Sequence, residues 1–444
     1  MSANHVEASP SAGTRQPLRA SIGAFVGTTI EWYDFYIFAT GASLVFGQVF
    51  FPSGNPFLAT LGALGTFAAG FLARPLGALI FGSLGDRLGR KNILVITLLL
   101  MGGSTVLIGL LPSYASVGAV APVLLVVLRI AQGIAVGGEW GGAVLLAAEH
   151  GTDGKKTFFA SFPQLGSPAG MILSIFAFRA VATLPQDDLL SWGWRLPFLA
   201  SAVLMVVGLM IRHGVDETPE FESIRHRAAH QKPSALAVFL RMPRLLLLAA
   251  GANTIGVAAV YFNVVFMLTY TTQYLHLPRA MILECVLYAT VLQFCVQPVA
   301  AWMADKVGAA RFVLLTSLVT VVTPFILYRL VSEGTPQSIM AGLGIVTLFC
   351  AAFYAAIAGF SASLFPTEVR YSAVSIAYQG CAAIAGGLTP ILGTFLAEKF
   401  PGNWIPLAIA YASAAAISAI CIAVLMRKQV GHSVTPSLAS FARE

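Results

Sequence analysis

Apolar residues run through this chain in long blocks without regular alternation, and polar residues gather in short clusters between them. Twelve blocks reach the roughly 20 residues that a helix needs to cross about 30 Å of hydrocarbon. They lie at about 21–50, 57–82, 92–111, 121–148, 157–183, 192–212, 244–275, 280–303, 311–330, 337–364, 371–398 and 403–426. The ten-residue alternation of a membrane barrel strand is absent. The pattern therefore predicts an all-α membrane protein of twelve transmembrane helices, with the longer blocks tilted or extending beyond the bilayer. One long polar interruption, 214–243, separates six blocks from six, and it is read as an amphipathic linker. The predicted units are a polar tail 1–18, a six-helix bundle 19–213, the linker 214–243, a second six-helix bundle 244–427 and a tail 428–444.

Composition agrees with a membrane protein: 57% of the 444 residues are hydrophobic and 10% are charged. The formal net charge of +7 does not call for a nucleic-acid partner. With the N-terminus placed in the cytoplasm, only Arg179, Arg195, Arg279, Arg329 and Lys399 fall on the outer side. Arg74 and Arg129 fall within spans, and every other Lys and Arg lies on the cytoplasmic side. This excess predicts that both termini are cytoplasmic. No short apolar region with a cleavage site opens the chain, so the N-terminus is read as retained. The five cysteines are scattered through the spans, which argues against disulfides or a metal site. All seven histidines lie at span ends or outside, and no nucleophile–base spacing points to an enzyme. The 214–243 linker is too short for a sensor's output domain.

Charge clusters also reveal a repeat. The stretch 85–91 packs Asp86, Arg87, Arg90 and Lys91 between two apolar blocks, and such charges must sit in water at a membrane face. A fainter copy holds Asp305, Lys306 and Arg311. Asp305 follows Asp86 by 219 residues, and Glu368 follows Glu149 by the same 219. Two acidic landmarks at one offset predict tandem six-helix halves. Such repeats, with a site between them near the midplane, belong to secondary transporters.

Five ionisable residues fall well inside spans of the first half: Glu31, Asp34, Arg74, Arg129 and Glu139. Intramembrane charge is a functional hypothesis with a partner to be named. Depths counted at about 1.5 Å per residue predict Asp34 (or Glu31) beside Arg129, and Arg74 beside Glu139. Glu31 and Asp34 share a helix face at i, i+3. A carboxylate beside an arginine can exchange that partner for a proton, so Asp34 and Glu31 are the candidate proton-coupling groups and Arg129 the candidate anion-binding group. Arg74 and Glu139 form a candidate second ion pair, functional or purely structural. The second half places Asn253, Asn263, Gln293, Gln297 and Gln379 in its spans, with Tyr261, Tyr354 and Tyr378. These predict a neutral, hydrogen-bonding wall opposite the charged one, which Tyr33, Gln132, Trp140 and Gln164 complete. Gly133, Gly137 and Gly141 make a small-residue stripe on the fourth helix, read as close packing that permits sliding.

Several motifs carry a family resemblance. The 85–91 loop resembles the signature between the second and third helices of the major facilitator superfamily. Glu31-Trp32-Tyr33-Asp34-Phe35, Phe71-Leu72-Ala73-Arg74-Pro75, Arg129-Ile130-Ala131-Gln132-Gly133, Gly137-Gly138-Glu139-Trp140-Gly141 and Phe365-Pro366-Thr367-Glu368-Val369-Arg370 resemble its metabolite:proton symporters. Ser161-Phe162-Pro163-Gln164-Leu165-Gly166 is most similar to the shikimate-related branch. The resemblance implies a multi-pass bacterial inner-membrane protein with the major facilitator fold, a monomer driven by the proton gradient without another cofactor. It implies a cytoplasmic gate made of Asp86, Arg87, Arg90, Glu149, Asp305, Arg311, Glu368 and Arg370. Because Ala309 and Ala310 stand where the first half has Arg90 and Lys91, this gate is expected to lean on the first half. The expected cargo is a small organic acid, a monocarboxylate or hydroxy acid such as shikimate and next a dicarboxylate, since few cations are available. A betaine or proline symporter and a proton-coupled drug antiporter are the alternatives.

Overall fold

The computed structural model describes residues 16–51, 56–152, 154–225 and 239–431. Among these, secondary structure is helical throughout, with no strand. Most of both predicted tails (1–15 and 432–444) and the middle of the predicted linker (226–238) lie outside the described residues, while 16–18 and 428–431 belong to the first and last helices.

Twelve long helices carry the fold. In the first half they are α1 (Gln16–Gly41), α2 (Pro56–Leu88), α3 (Arg90–Leu110), α4 (Val120–His150), α5 (Lys156–Val181) and α6 (Arg195–His213). In the second they are α7 (Pro243–Tyr274), α8 (Arg279–Val307), α9 (Ala309–Val331), α10 (Pro336–Ser363), α11 (Arg370–Lys399) and α12 (Ile405–Gly431). Eleven stretches, in α2 to α12, are long and apolar enough to cross a membrane. α1 has 26 residues and packs among them, but Arg19, Glu31 and Asp34 make it more polar than the rest.

The packing repeats with a period of six helices. α1 lies against α5 as α7 lies against α11, α2 against α4 as α8 against α10, and α3 against α6 as α9 against α12. Across the halves, α2 packs on α11 and α5 packs on α8. Lipid gives helices no hydrophobic drive to associate, so close packing rests on small residues. A Cβ on Gly133 would meet the backbone of Gly70, and one on Gly137 would meet that of Arg74 and Gly77, so α4 lies directly on α2.

The charged stretch 85–91 departs from the loop read in the sequence. α2 stays helical through Leu88 and α3 begins at Arg90, so Gly89 alone makes the turn, with φ +101°. Gly308 joins α8 to α9 in the same way, with φ +96°, and follows Gly89 by 219 residues. Glycine is the residue that takes this backbone conformation without steric cost. The side of the molecule carrying Gly89 and Gly308 is called the loop face below.

Candidate functional site

Asp34 lies in α1 with no exposed surface. Its carboxylate oxygens accept hydrogen bonds from Ser201 Oγ of α6 at 2.6 Å and Thr105 Oγ1 of α3 at 2.7 Å. Thr105 Oγ1 in turn accepts from Gln132 Nε2 at 2.6 Å, and Gln132 Oε1 accepts from Arg129 Nη1 at 3.0 Å. Asp34 and Arg129 are therefore joined through Thr105 and Gln132, where the sequence predicted direct contact. Two hydroxyls occupy the carboxylate, and the Arg129 guanidinium lies 4.0 Å over the Phe38 ring.

The second predicted pair does not form. Glu139 takes Arg212 of α6 as its ion partner and accepts a hydrogen bond from Thr97 of α3. Arg212 also donates to the Leu94 carbonyl. Gly27 makes the room, since a Cβ there would meet both the Arg212 guanidinium and the Glu139 carboxylate. Arg74 instead lies over Phe71 at 4.1 Å and Phe35 at 5.4 Å.

A row of three small cavities with overlapping linings, called lobes below, runs from this charged region to the seam between the halves. Glu31, Trp32, Arg74 and Val136 line its inner lobe together with Arg129 and Gln132, and again its central lobe together with Tyr261, Tyr354, Tyr378 and Gln379. Tyr354, Gly256 and Val260 continue into a neutral lobe with Tyr36, Ser167, Asn263, Gln293 and Thr347. α7 opens into a π-helical stretch at Tyr261–Phe266, which contributes both Tyr261 and Asn263 to these walls. Such stretches are frequent at functional sites.

Trp140 stacks on Tyr378 at 3.7 Å and donates to Gln164 Oε1 at 2.9 Å. Gln164 donates to the Tyr354 carbonyl at 3.0 Å, and Gln379 to the Val136 carbonyl at 3.1 Å. These contacts stitch the halves together beside the cavity, whose wall includes Trp140, Tyr354, Tyr378 and Gln379, with Gln164 set behind it. Three predicted wall residues lie elsewhere. Tyr33 donates to the Pro197 carbonyl at 2.7 Å inside the first-half core. Asn253 donates to the Ala249 carbonyl at 2.8 Å within its own helix and to Ser361 at 3.4 Å. Gln297 is fully buried, and neither polar atom of its side chain has a hydrogen-bond partner among the described residues.

On the loop face, two carboxylates reach across the seam to helix starts. Asp86 accepts from the backbone N–H groups of Tyr371 and Ser372 at 3.0 and 2.9 Å and from Ser372 Oγ at 2.6 Å. Asp305 accepts from the N–H groups of Thr157 and Phe158 at 2.9 and 2.8 Å. Carboxylates at helix N-termini satisfy orphan amides and favour the helix dipole. Glu149 holds Arg90 at 3.3 Å and Arg370 of the other half at 3.0 Å. Both halves thus supply a capping carboxylate, and the expected bias to the first half holds only for the Arg90–Glu149 side. Arg87 and Arg311 point to solvent; neither they nor Glu368 joins an ion pair among the described residues.

The comparisons fit this geometry. The sugar (and other) transporter family matches residues 20–238, and the major facilitator superfamily matches residues 252–440. The shikimate transporter of Escherichia coli (strain K12) is 37% identical over 413 residues, covering 92% of this chain and 94% of that protein. The proline/betaine transporter of the same strain is 33% identical over 398 residues, covering 87% and 79%. A solved proton:xylose symporter has the same fold, with a TM-score of 0.72 at 15% identity over 95% of this chain and 97% of that one. The chain belongs to the major facilitator superfamily.

It is therefore a multi-pass membrane transporter and not an enzyme. Within this superfamily member, sequence reasoning missed the hydroxyl donors Thr97, Thr105 and Ser201, because single Thr and Ser residues are ordinary in membrane helices. It also counted Arg212 among the cytoplasmic-side bases, since Arg212 lies at the end of an apolar block. The structure buries it inside α6. Glu217 was missed as well: it accepts from the N–H groups of Arg90 at 2.9 Å and Lys91 at 3.2 Å and so caps α3.

Proposed function

We propose that this chain is a proton-coupled symporter that imports a small organic acid by alternating access. The observation that carries this reading is the hydrogen-bonded chain from Asp34 through Thr105 and Gln132 to Arg129, ending at a cavity with one charged and one neutral polar lobe. A proton on Asp34 removes the acceptor charge that organises Ser201 and Thr105. The hydroxyls then reorient, and Gln132 and Arg129 at the far end of the chain are released from their arrangement. The cation wall suits a carboxylate, and the Tyr, Asn and Gln wall suits hydroxyls, as in a hydroxy acid such as shikimate. The 37% identity to a shikimate transporter supports the same class. A zwitterion such as betaine would use Glu31 and Trp32 for its cation, but Arg74 and Arg129 line the same lobe and disfavour it. The loop face is placed in the cytoplasm of a bacterial inner membrane, with both ends of the chain on that side, and the transporter acts as a monomer.

Adding shikimate to de-energised cells that express the protein should alkalinise the medium. Asp34→Asn should abolish uphill accumulation while retaining exchange of labelled for unlabelled substrate. Full accumulation by Asp34→Asn would overturn the coupling role. Acidification on adding substrate would point to an antiporter.

A further inference from the structure

We propose that Arg74 is the anchor for the substrate's carboxylate and that Glu31 must carry a proton for that carboxylate to bind. This deepens the organic-acid reading above and rests on it.

Of the three guanidiniums set within the spans of the first half away from the loop-face gate, Arg129 and Arg212 have side-chain hydrogen-bond partners. Arg212 is held by Glu139, and Arg129 by Gln132. Arg74 forms no ion pair among the described residues, yet it is only partly buried and lines both the inner and the central lobe. A guanidinium at a cavity wall with no bonded acid is open to an anionic ligand, which offsets part of the cost of holding the charge there.

The site around Arg74 is built to hold it still. Gly133 and Gly137 seat α4 on the α2 backbone at Gly70 and at Arg74 itself, so the anchor's Cα is fixed. The Phe71 and Phe35 rings lie 4.1 and 5.4 Å from the guanidinium carbon and restrict its plane. A planar fork at a cavity wall matches a carboxylate.

Glu31 lines the same two lobes without pairing to Arg74, and its Oε2 is buried with no hydrogen-bond partner among the described residues. A substrate carboxylate on Arg74 therefore arrives beside a second carboxyl group. If Glu31 is ionised, the two anions repel. If it is protonated, its O–H donates to the substrate carboxylate, and the Oε2 position gains a partner. The proton comes from solvent and stays on Glu31 while the substrate is bound. Other charges face Glu31 as well: Arg74 from α2, Glu139 from α4, Arg212 from α6 and Asp34 from its own helix, with the Tyr354 and Tyr378 hydroxyls across the seam. Trp32, Tyr261 and Tyr378 line the central lobe beside Glu31 and Arg74.

The test is calorimetric binding to purified protein, with shikimate and its methyl ester as probes, in buffers of different ionisation heat. Wild type should bind the acid, discriminate against the ester, and take up one proton per acid bound. Arg74→Gln should weaken the acid by roughly ten- to a hundredfold and leave the ester unchanged. Arg74→Lys, which keeps the charge without the fork, should fall between. Glu31→Gln should still bind the acid, but with no proton uptake and a flattened pH dependence, whereas Asp34→Asn should keep the uptake. Wild-type affinity for the acid in Arg74→Gln, or proton uptake persisting in Glu31→Gln, overturns the inference and leaves organic-acid transport standing. A wild type that binds neither shikimate nor 2-oxoglutarate overturns the organic-acid reading and this one with it.

Discussion

Glu139 receives Arg212 from α6 and Thr97 from α3, and all three are buried between helices. A buried ion pair is a weak source of stability, but removing one partner leaves an uncompensated charge, which costs about 3–5 kcal/mol. Glu139→Gln and Arg212→Met should each lower the melting temperature in detergent sharply. The double variant should recover much of the loss, because neither charge is then left alone. Single variants as stable as wild type would mean that water reaches the pair. At this scale the sequence was half legible. Glu31, Asp34, Arg74, Arg129 and Glu139 stood out because a charge in an apolar block is rare. Their partners did not, because counting along a helix gives depth but not azimuth. Arg74 and Glu139 share a depth from the loop face yet turn to different neighbours, and the hydroxyls of Thr97, Thr105 and Ser201 carry no signal of their own.

At the scale of elements, the segment after α6 does more than span the halves. Glu217 caps the first turn of α3, and the short helix Pro219–Arg225 buries Phe221 5.0 Å from the Arg90 guanidinium carbon. On the same helix Glu220 lies 3.6 Å from Lys156 of α5. Burial, and then the neighbouring Glu149, push the Glu220 carboxyl above its ordinary range. A carboxyl raised in the folded state binds more protons there than in the unfolded state, so stability falls as pH rises from the ordinary carboxylate range through the raised value. Glu220→Gln should therefore gain melting temperature over wild type in neutral buffer, with the gap closing in acidic buffer. A gap independent of pH would show that Glu220 stays ionised throughout. The sequence identified this stretch as a polar connector from its Asp, Glu and Pro content. Its docking was not legible, because Glu217 meets backbone N–H groups, which every residue but proline supplies.

For the whole molecule, the repeat was legible from two acidic residues at one offset, and Gly89 and Gly308 extend it to backbone geometry. What the offset could not say is that each aspartate crosses to the other half and ends on a helix start. The missing bases at Ala309 and Ala310 therefore do not weaken Asp305, whose partners are N–H groups. Closure also needs Gly85, where a Cβ would meet the Tyr371 ring. Gly85→Ala and Asp86→Asn should both shift the population toward an open loop face. Spin labels at Arg87 and Arg311, both exposed on that face in opposite halves, should report longer distances in each variant. Unchanged distances would mean that the Glu149 and Asp305 contacts suffice to hold it shut. The glycines of α4 carry a consequence of their own. Gly133, Gly137 and Gly138 lie on α2, whereas Gly141 and Gly142 lie on Ser375 and Tyr371 of α11. One helix is thus welded to its own half over part of its length and rests on the other half as a smooth bearing over the rest. Over that part the seam is held by the hydrogen bonds at helix ends together with the Trp140, Gln164 and Gln379 contacts beside the cavity, and not by side chains of α4 interlocked with α11. Turnover then responds to bulk added at Gly141 or Gly142, which roughens the bearing, as well as to polar substitutions at the helix ends.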